Sequence, residues 1–439
     1  FELSLHLKHR LPRRSRRATA ACWSPQPLTV STEAVAGHRS ASAIAVLNMT
    51  SPMHRRILQP FAPFLALALG LSATAAQAFD EAGIRAAVDT TIGPLMSQHD
   101  IPGMAVAITV DGRAYVFNYG VMSRRGQEPV TDHTLFEVGS VTKVLTATLA
   151  AYAASLGKLS LDAHPSRYLP ALKGAAIDKA TVLQLACFTA GDLPLQFPDS
   201  LEGDDAAALN YFRHWQPTAA PGVVRSYSNP SLALLGWVTA RALGQDYSAA
   251  MQTRLFPAFG MSRSHVQVPE GSMPNYAWGH RDDRQVRMQR GPMAEPVYGL
   301  RTTASDLLLF VQANLDPSTL APPLRRAVAA TQIGHYRSGP LVQGLGWEQY
   351  PYPVSREWLL GGNAEEMILQ PQPAQRLAGL PDHSPRLFNK TGSTGGFGAY
   401  VAFVPQRRVG LVMLANRNYP IPSRIEAAWT ILKAVAGDD

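Results

Sequence analysis

Residues 387–415 read LFNKTGSTGGFGAYVAFVPQRRVGLVMLA and contain three short runs that are typical of β-strands. The runs Leu387–Thr391, Ala399–Val404 and Val409–Leu414 are rich in β-branched, aromatic and aliphatic residues. Glycines separate the first two runs, and Pro-Gln-Arg-Arg separates the last two, as is typical of tight turns. This stretch therefore predicts three neighbouring antiparallel strands.

The N-terminal part of the chain predicts two more strands. Residues 104–110 and 114–119 flank Asp111-Gly112, a dipeptide that is typical of hairpin turns. Apolar residues recur every four positions within 80–98, and 423–436 has a similar pattern, so a helix is predicted at each end. We expect one antiparallel sheet with a core of five strands, flanked by the two terminal helices.

The middle of the chain is mainly helical by the same criteria. The predicted helices are Val141–Leu156, which Gly157 ends, Ser231–Leu243 and Ala304–Leu315. The polar run 271–297 has no periodicity. We therefore expect an α/β fold with a sheet lobe (about 79–157 and 295–439) and a mainly helical lobe (about 158–294). A functional site is expected in the cleft between them.

The charge of the chain is concentrated at its N-terminal end. The formal net charge of the 439 residues is +8, and residues 1–78 carry +7 of it. Residues 79–439 are nearly neutral, so we expect no nucleic acid or membrane surface as a partner of the folded part, and a monomer.

A secretory signal is predicted over residues 53–78. Two arginines and a histidine follow Met53, residues 57–71 carry no charge, and Ala76-Gln77-Ala78 has the small residues that a signal peptidase reads. The apolar stretch is shorter than the roughly 20 residues of a spanning helix, which disfavours an uncleaved anchor. We expect cleavage after Ala78, a periplasmic protein, and a start at Met49 or Met53 that leaves 1–52 outside the protein or its mature form.

Cysteine usage predicts a fold without an intramolecular disulfide. Cys22 lies in the leader, so Cys187 is alone in the predicted mature chain. The apolar run around Cys187 predicts a packed core thiol.

The first motif that carries chemistry is Ser140-Val141-Thr142-Lys143, at the predicted start of a helix. A spacing of three places Ser140 and Lys143 on one helix face, where a neutral lysine can accept the serine proton. The helix N-terminus favours an oxyanion beside the serine. A capping serine with an exposed lysine is the alternative for this motif alone.

Two further motifs contain polar groups that suit an acyl-transfer site. Tyr227-Ser228-Asn229 lies in a predicted turn, and a tyrosine beside cations can act as a base or a proton relay. Lys390-Thr391-Gly392-Ser393 lies on a predicted strand, where the lysine and two hydroxyls suit a carboxylate and the glycine leaves room for a ligand. Each motif alone is compatible with an ordinary loop or hairpin.

The three motifs occur in the order S-x-x-K, Y-x-N, K-T-G, about 85 and 160 residues apart. Together they resemble the penicillin-recognising serine enzymes. Y-x-N in place of S-D-N, and a predicted mature length of 361 residues, are similar to class C (AmpC-type) serine β-lactamases. Longer matching stretches are Ile101–Val106, Leu135–Ser140, Phe188–Gln196, Lys390–Gly398 and Leu414–Pro420.

This resemblance implies hydrolysis of β-lactam antibiotics, cephalosporins and penicillins, through an acyl-serine, without metal or cofactor. It implies that Ser140 is the nucleophile, Lys143 its proton partner, Tyr227 the general acid/base and Lys390 a further catalytic cation. The backbone N–H groups of Ser140 and Ser393 would form the oxyanion hole. The implied substrate-binding residues are Gln196, Asn229, Tyr298, Thr391, Gly392, Ser393 and Asn418.

The chain departs from the family pattern at several positions. Asp192 stands where the family usually has glycine, Ile421 stands where it often has asparagine, and 281–297 matches poorly. Binding of the substrate carboxylate and selectivity for the substrate side chain are therefore the properties in which we expect this chain to differ from the family.

Several other functions remain as alternatives or are disfavoured. No H-x-H-x-D pattern and no G-x-S-x-G elbow occurs, which disfavours a metallo-β-lactamase and an α/β-hydrolase. A carboxylesterase or D-amino-acid peptidase of the same fold remains, although K-T-G argues against the esterase. A penicillin sensor that stays acylated also remains, because it differs from a hydrolase in its deacylation rate.

Overall fold

The computed structural model describes residues 81–201, 203–379 and 383–436. The predicted leader, its cleavage after Ala78, the possible starts at Met49 and Met53, and Cys22 lie outside the described residues. Within the described part, no helix is long and apolar enough to cross a membrane.

The fold is built on an antiparallel sheet that contains the five predicted core strands and four more. The strands, in chain order, are β1 Gly103–Val110, β2 Arg113–Gly120, β3 Phe136–Glu137, β4 Val224–Arg225, β5 Gly279–Arg281, β6 Arg284–Val286, β7 Arg301–Thr302, β8 Tyr336–Ser338, β9 Leu341–Gln343, β10 Glu348–Pro351, β11 Gln372–Pro373, β12 Gln375–Arg376, β13 Arg386–Ser393, β14 Gly398–Val404 and β15 Val409–Ala415. The order across the large sheet is β12-β8-β9-β10-β13-β14-β15-β1-β2.

The predicted five-strand core is confirmed as the contiguous half of this sheet, β13-β14-β15-β1-β2. The chain termini meet in it, because Met104 of β1 pairs with Ala415 of β15. The hairpin turn has the expected positive φ angles, 50° at Asp111 and 82° at Gly112. The other four strands are two to four residues long, too short for an alternating pattern, so the sequence did not predict them.

The helices cover both faces of the sheet. In chain order they are α1 Glu81–Gln98, α2 Thr142–Ser155, α3 Val182–Ala186, α4 Asp205–His214, α5 Asn229–Leu243, α6 Tyr247–Ala250, α7 Phe256–Ala258, α8 Glu295–Tyr298, α9 Ala304–Leu315, α10 Pro322–Thr331, α11 Arg356–Gly362, α12 Glu365–Leu369 and α13 Ile421–Ala436. The terminal helices α1 and α13 share one core with one face of the strands, as predicted.

The other face of the sheet carries the helices that hold the site. In α2, eleven of fourteen residues are buried, and the helix packs between α5 and α10. Gly157 follows it with a φ of 69°, the left-handed conformation expected of a residue that ends a helix. A helix buried on nearly all sides has little freedom to move, so α2 is a rigid support.

Three local predictions need correction. Ser140 lies in a 3₁₀ turn, Gly139–Val141, that precedes α2 and does not itself begin the α-helix. Helix α5 begins at Asn229, two residues before the predicted start, because Ser228 caps it by accepting from Ser231 N at 3.1 Å. The run 271–297 is not wholly irregular, since it contains the hairpin β5–β6 and most of helix α8.

Candidate active site

The turn that carries Ser140 lies directly against strand β13. Gly139 has a φ of 50°, and a Cβ there would approach Ser393 N to 2.5 Å. A Cβ on Gly392 would collide with the Val138 carbonyl oxygen and lie 3.0 Å from Ser140 N. The two glycines thus allow the turn and strand β13 to approach closely, so that the backbone nitrogens of Ser140 and Ser393 lie near each other.

Lys143 is buried completely and points at Ser140. Its Nζ lies 2.8 Å from Ser140 Oγ and donates to the Val297 carbonyl oxygen at 3.2 Å. Burial, together with the positive charge of Lys390, lowers the pKa of Lys143 to about 8 against the opposing effect of Tyr227. A lysine with this pKa is partly neutral near pH 7 and can accept a proton from the serine.

Tyr227 lies between the two buried lysines. The distances from its ring centroid are 5.3 Å to Lys143 Nζ and 4.9 Å to Lys390 Nζ. Burial alone would raise the pKa of Tyr227, but the charges of Lys143 and Lys390 outweigh it and lower that pKa to about 8. The tyrosine hydroxyl also interacts with Ser140. The structure therefore brings all four predicted catalytic side chains together.

Lys390 is held by a buried acid that the sequence motifs did not reveal. Glu348 on β10 lies 3.6 Å from Lys390 Nζ and 3.2 Å from Arg225 Nη2, and all three side chains are buried. Burial would lower the pKa of Lys390, but Glu348 and Tyr227 outweigh it, so that pKa is raised and the lysine stays charged. The two lysines therefore differ: Lys143 can lose its proton, and Lys390 keeps it.

Gln196 and Asn229 form one polar pair beside Tyr227. Asn229 Nδ2 donates to Gln196 Oε1 at 2.8 Å, and Asn229 N donates to the Leu195 carbonyl oxygen at 2.9 Å. Asn229 Oδ1 is buried and has no hydrogen-bond partner within the described part of the chain. An unpartnered buried acceptor is costly, so this atom suits a ligand N–H.

The predicted carboxylate side is organised by Arg424, which the sequence reasoning missed. This fully buried guanidinium donates to Ser393 Oγ at 3.0 Å, to Asn418 Oδ1 at 2.6 Å and to the Gly392 carbonyl oxygen at 2.6 Å. Burial lowers the pKa of Arg424 to about 10, against the opposing effect of Tyr419. Thr391 lies beside these residues on β13, whereas Ile421 offers no polar atom on α13.

Glu137 is a third missed residue, and it joins three segments around the turn of Ser140. Its carboxylate accepts from Thr394 Oγ1 at 2.5 Å, from Met288 N at 2.6 Å and from the hydroxyl of Tyr276. It therefore links β3 to the end of β13 and to the 271–297 segment. A buried carboxylate with three donors is well satisfied and holds its neighbours in place.

Tyr298 ends α8 and follows Val297, whose carbonyl oxygen accepts from Lys143. Burial raises the pKa of Tyr298, so this side chain is neutral at ordinary pH. Among the described residues, no cluster of three or more histidine, cysteine, aspartate or glutamate side chains is placed to hold a metal ion.

Comparison with known proteins agrees with this geometry. A family model described as Beta-lactamase matches residues 88–436. The chain belongs to the beta-lactamase family. This match, together with the relatives and solved structures described next, confirms the resemblance that the three motifs indicated and the fold class.

Beta-lactamase relatives align over almost their whole length. A beta-lactamase from Pseudomonas fluorescens is 46% identical over 356 residues, which is 80% of this chain and 99% of the relative. One from Lysobacter lactamgenus is 44% identical over 356 residues, 80% of this chain and 92% of the relative.

Solved structures with the same fold include two chemically informative neighbours of this beta-lactamase chain. A class C beta-lactamase in complex with cefoxitin is 44% identical, with a TM-score of 0.78, and covers 81% of this chain and 99% of its own. A D-alanine carboxypeptidase AmpC from Burkholderia cenocepacia is 48% identical, with a TM-score of 0.76, and covers 80% and 99%.

Proposed function

We propose that this chain is a class C serine β-lactamase that hydrolyses β-lactam antibiotics, cephalosporins and penicillins, through an acyl-serine intermediate. The observation that carries the proposal is the contact of Lys143 Nζ with Ser140 Oγ at 2.8 Å, beside Tyr227 with its lowered pKa. A hydroxyl nucleophile needs an adjacent base, and this site offers two.

Acylation begins when Ser140 Oγ attacks the ring carbonyl carbon while its proton passes to Lys143 or Tyr227. The developing oxyanion accepts from the backbone N–H groups of Ser140 and Ser393, a role that the close approach allowed by Gly139 and Gly392 supports. The ring C–N bond then breaks, and the nitrogen takes the proton. The product of this step is an ester of Ser140.

Deacylation requires a base for water, and we assign this role to Tyr227. The described motif residues include no carboxylate at the serine, and Glu348 is already paired with Lys390 and Arg225. Tyr227 takes the water proton as phenolate, or relays it while Lys143 takes the charge. The water oxygen bonds to the acyl carbon, the bond between that carbon and Ser140 Oγ breaks, and Oγ takes the proton back. Lys390 remains protonated and stabilises either form.

Substrate binding uses the polar groups on either side of the serine. Asn229 Oδ1 and Gln196 bind the acylamide side chain, with Tyr298 beside them. Thr391, Ser393 and Asn418 bind the substrate carboxylate, and Arg424 orients the last two. Lys390 adds positive charge on this side, so charge-assisted hydrogen bonds favour an anionic substrate.

The proposal is tested by mapping the adduct of a slowly hydrolysed β-lactam. We expect one ligand mass on a peptide that contains Ser140, and no adduct with the variant Ser140→Ala. Ser155→Ala, at the far end of α2, is the matched control and should be acylated normally. An adduct on any other residue would refute the assignment.

Turnover of a chromogenic cephalosporin distinguishes a hydrolase from a sensor. We expect many equivalents to be hydrolysed per protein molecule. Release of a single equivalent, followed by a stable adduct, would favour the sensor.

A second candidate activity is removal of a C-terminal D-alanine. It is favoured by the 48% identical neighbour described as a D-alanine carboxypeptidase. The same serine and base would act on a peptide that ends in D-Ala-D-Ala. Thr391, Ser393 and Asn418 would bind the carboxylate of that peptide. Release of D-alanine, lost in Ser140→Ala, would support this activity, and its absence in an enzyme that hydrolyses cephalosporins would exclude it.

We also propose a periplasmic monomer that contributes to antibiotic resistance. The charge pattern of residues 53–78 supports export, with a mature protein that begins at Phe79. Intact-mass analysis of periplasmic material tests this, and retention of 53–78 would contradict it.

A further inference from the structure

Asp192 lies in a strained turn beside the proposed site. Its φ is 71°, and those of Phe188 and Gly191 in the same turn are 62° and 111°. A side chain held in the left-handed region costs free energy unless its surroundings compensate, and glycine avoids that cost. The carboxylate of Asp192 must therefore make contacts that matter at this position.

Those contacts join three segments of the chain. Asp192 Oδ1 accepts from Ser226 Oγ at 2.5 Å, and Oδ2 accepts from the hydroxyl of Thr218. Ser226 is buried and immediately precedes Tyr227. A carboxylate that bonds two hydroxyls from two segments fixes their relative positions, because charge-assisted bonds are short and strong.

The joined segments are those that carry the amide-binding pair. The turn at 188–192 leads directly to Gln196, and Ser226 leads through Tyr227 to Asn229. Backbone bonds already tie the two segments at each end, from Ser226 N to the Phe188 carbonyl oxygen at 3.0 Å and from Asn229 N to Leu195 at 2.9 Å. The hydrogen bond between Ser226 and Asp192 adds a side-chain contact between these two backbone hydrogen bonds.

We propose that Asp192 is a positioning residue that sets the spacing between Gln196 and Asn229, and so makes this enzyme selective for β-lactams with an acylamide side chain. The inference rests on the proposed function. It predicts a loss of selectivity that is separate from any loss of stability. Without Asp192, the segment of Gln196 moves relative to Asn229, and the two amides no longer bind one acylamide group together.

The test compares two substrates with the same bicyclic nucleus. One carries an acylamide side chain, and the other carries a free amino group at that position. For Asp192→Gly, we expect kcat/KM to fall about tenfold for the first substrate, as befits loss of one hydrogen bond to a charged group, and less than about twofold for the second. The Tm should change little, because the backbone strain that glycine relieves offsets the two hydrogen bonds that are lost.

Four further variants make the result specific. Asp192→Asn keeps an acceptor for Ser226 and tolerates positive φ, so its selectivity should stay close to that of the wild type. Ser226→Ala should reproduce the loss in Asp192→Gly, and the double variant should lose no more. Asp111→Gly is the matched control, since Asp111 also has positive φ, at 50°, and contacts Arg408 in a distant turn.

Each outcome decides one question. If Asp192→Gly changes both substrates by the same factor, or neither, the inference is refuted while the proposed function stands. If the wild type hydrolyses neither substrate, the proposed function fails and the inference with it. If Asp192→Gly does not fold, the selectivity of Ser226→Ala decides: an unchanged ratio overturns the inference, and a reduced ratio supports it.

Discussion

At the scale of single residues, the chemistry depends on two lysines with opposite environments. Lys143 faces no carboxylate within hydrogen-bond distance among the described contacts, and burial lowers its pKa to about 8. Lys390 faces Glu348, and its pKa is raised. Tyr227 between them can therefore exchange a proton with one lysine while the other holds a constant positive charge.

Replacing Tyr227 by phenylalanine removes only the hydroxyl. We expect kcat to fall at least about 10²-fold, because general acid–base catalysis is typically worth about 10²–10⁴-fold. Steady-state kinetics with a cephalosporin measures the effect, and circular dichroism checks the fold. Tyr115→Phe on β2 is the control and should leave kcat unchanged. Near-normal turnover in folded Tyr227→Phe would exclude the proposed proton carrier.

At the scale of secondary structure elements, the decisive contact is that between the turn of Ser140 and strand β13. For Gly392→Ala, the new methyl group would collide with the Val138 carbonyl oxygen. We expect at least about 10²-fold slower acylation, comparable to loss of an oxyanion-hole donor, and a loss of about 1–3 kcal/mol in the free energy of unfolding. Stopped-flow acylation and urea unfolding measure the two effects.

Gly93→Ala on α1 is the matched control for this change. A Cβ there meets no atom within 4 Å, so acylation should be unchanged and the helix should gain up to about 1 kcal/mol. Acylation of Gly392→Ala at the normal rate would show that the close approach is not needed for catalysis.

The sequence predicted those elements whose own pattern is long enough to be read. Strands of seven or eight residues and helix α9 were found with bounds within two residues or so, whereas β8, β9, β10 and β12 were missed. These short strands form because β13 offers a free edge for β10, which is a tertiary contact that no local pattern contains.

The residues of the candidate site also fall into those that the sequence predicted and those that it did not. Its motifs were readable because each places functional groups at a fixed local spacing. Glu348 and Glu137 were not, since their partners lie far along the chain. Arg424 could have been found: Ala428 and Ile431 follow it at four and seven positions, which places it on the buried face of α13.

At the scale of the whole molecule, a buried histidine makes stability depend on pH. Burial lowers the pKa of His335 to about 4, and the nearby charge of Arg376 acts in the same direction against Asp162. The neutral ring therefore contributes stability that is complete above pH 6.5 and is lost as the pH falls through about 4. The full loss is about 3 kcal/mol, from a pKa difference of this size.

His335→Gln removes this titration. Between pH 7 and pH 4, we expect the free energy of unfolding of this variant to fall less than that of the wild type. The difference between the two decreases should be up to about 3 kcal/mol. Urea unfolding at a series of pH values gives the comparison. His133→Gln, at an exposed position, should follow the wild-type curve. Parallel curves for His335→Gln and the wild type would contradict the prediction.

Cys187 can be used to measure how often the core around it opens. The thiol is free and fully buried, it lies 3.8 Å from the Gly344 carbonyl oxygen, and burial raises its pKa to about 12. An alkylating reagent reacts with the thiolate, so it can label Cys187 only when the surrounding core opens. The labelling rate in the native protein, divided by the rate for the same thiol in the unfolded chain, therefore gives the free energy of that opening with no engineered probe. A substrate or inhibitor that holds the core closed would lower this rate.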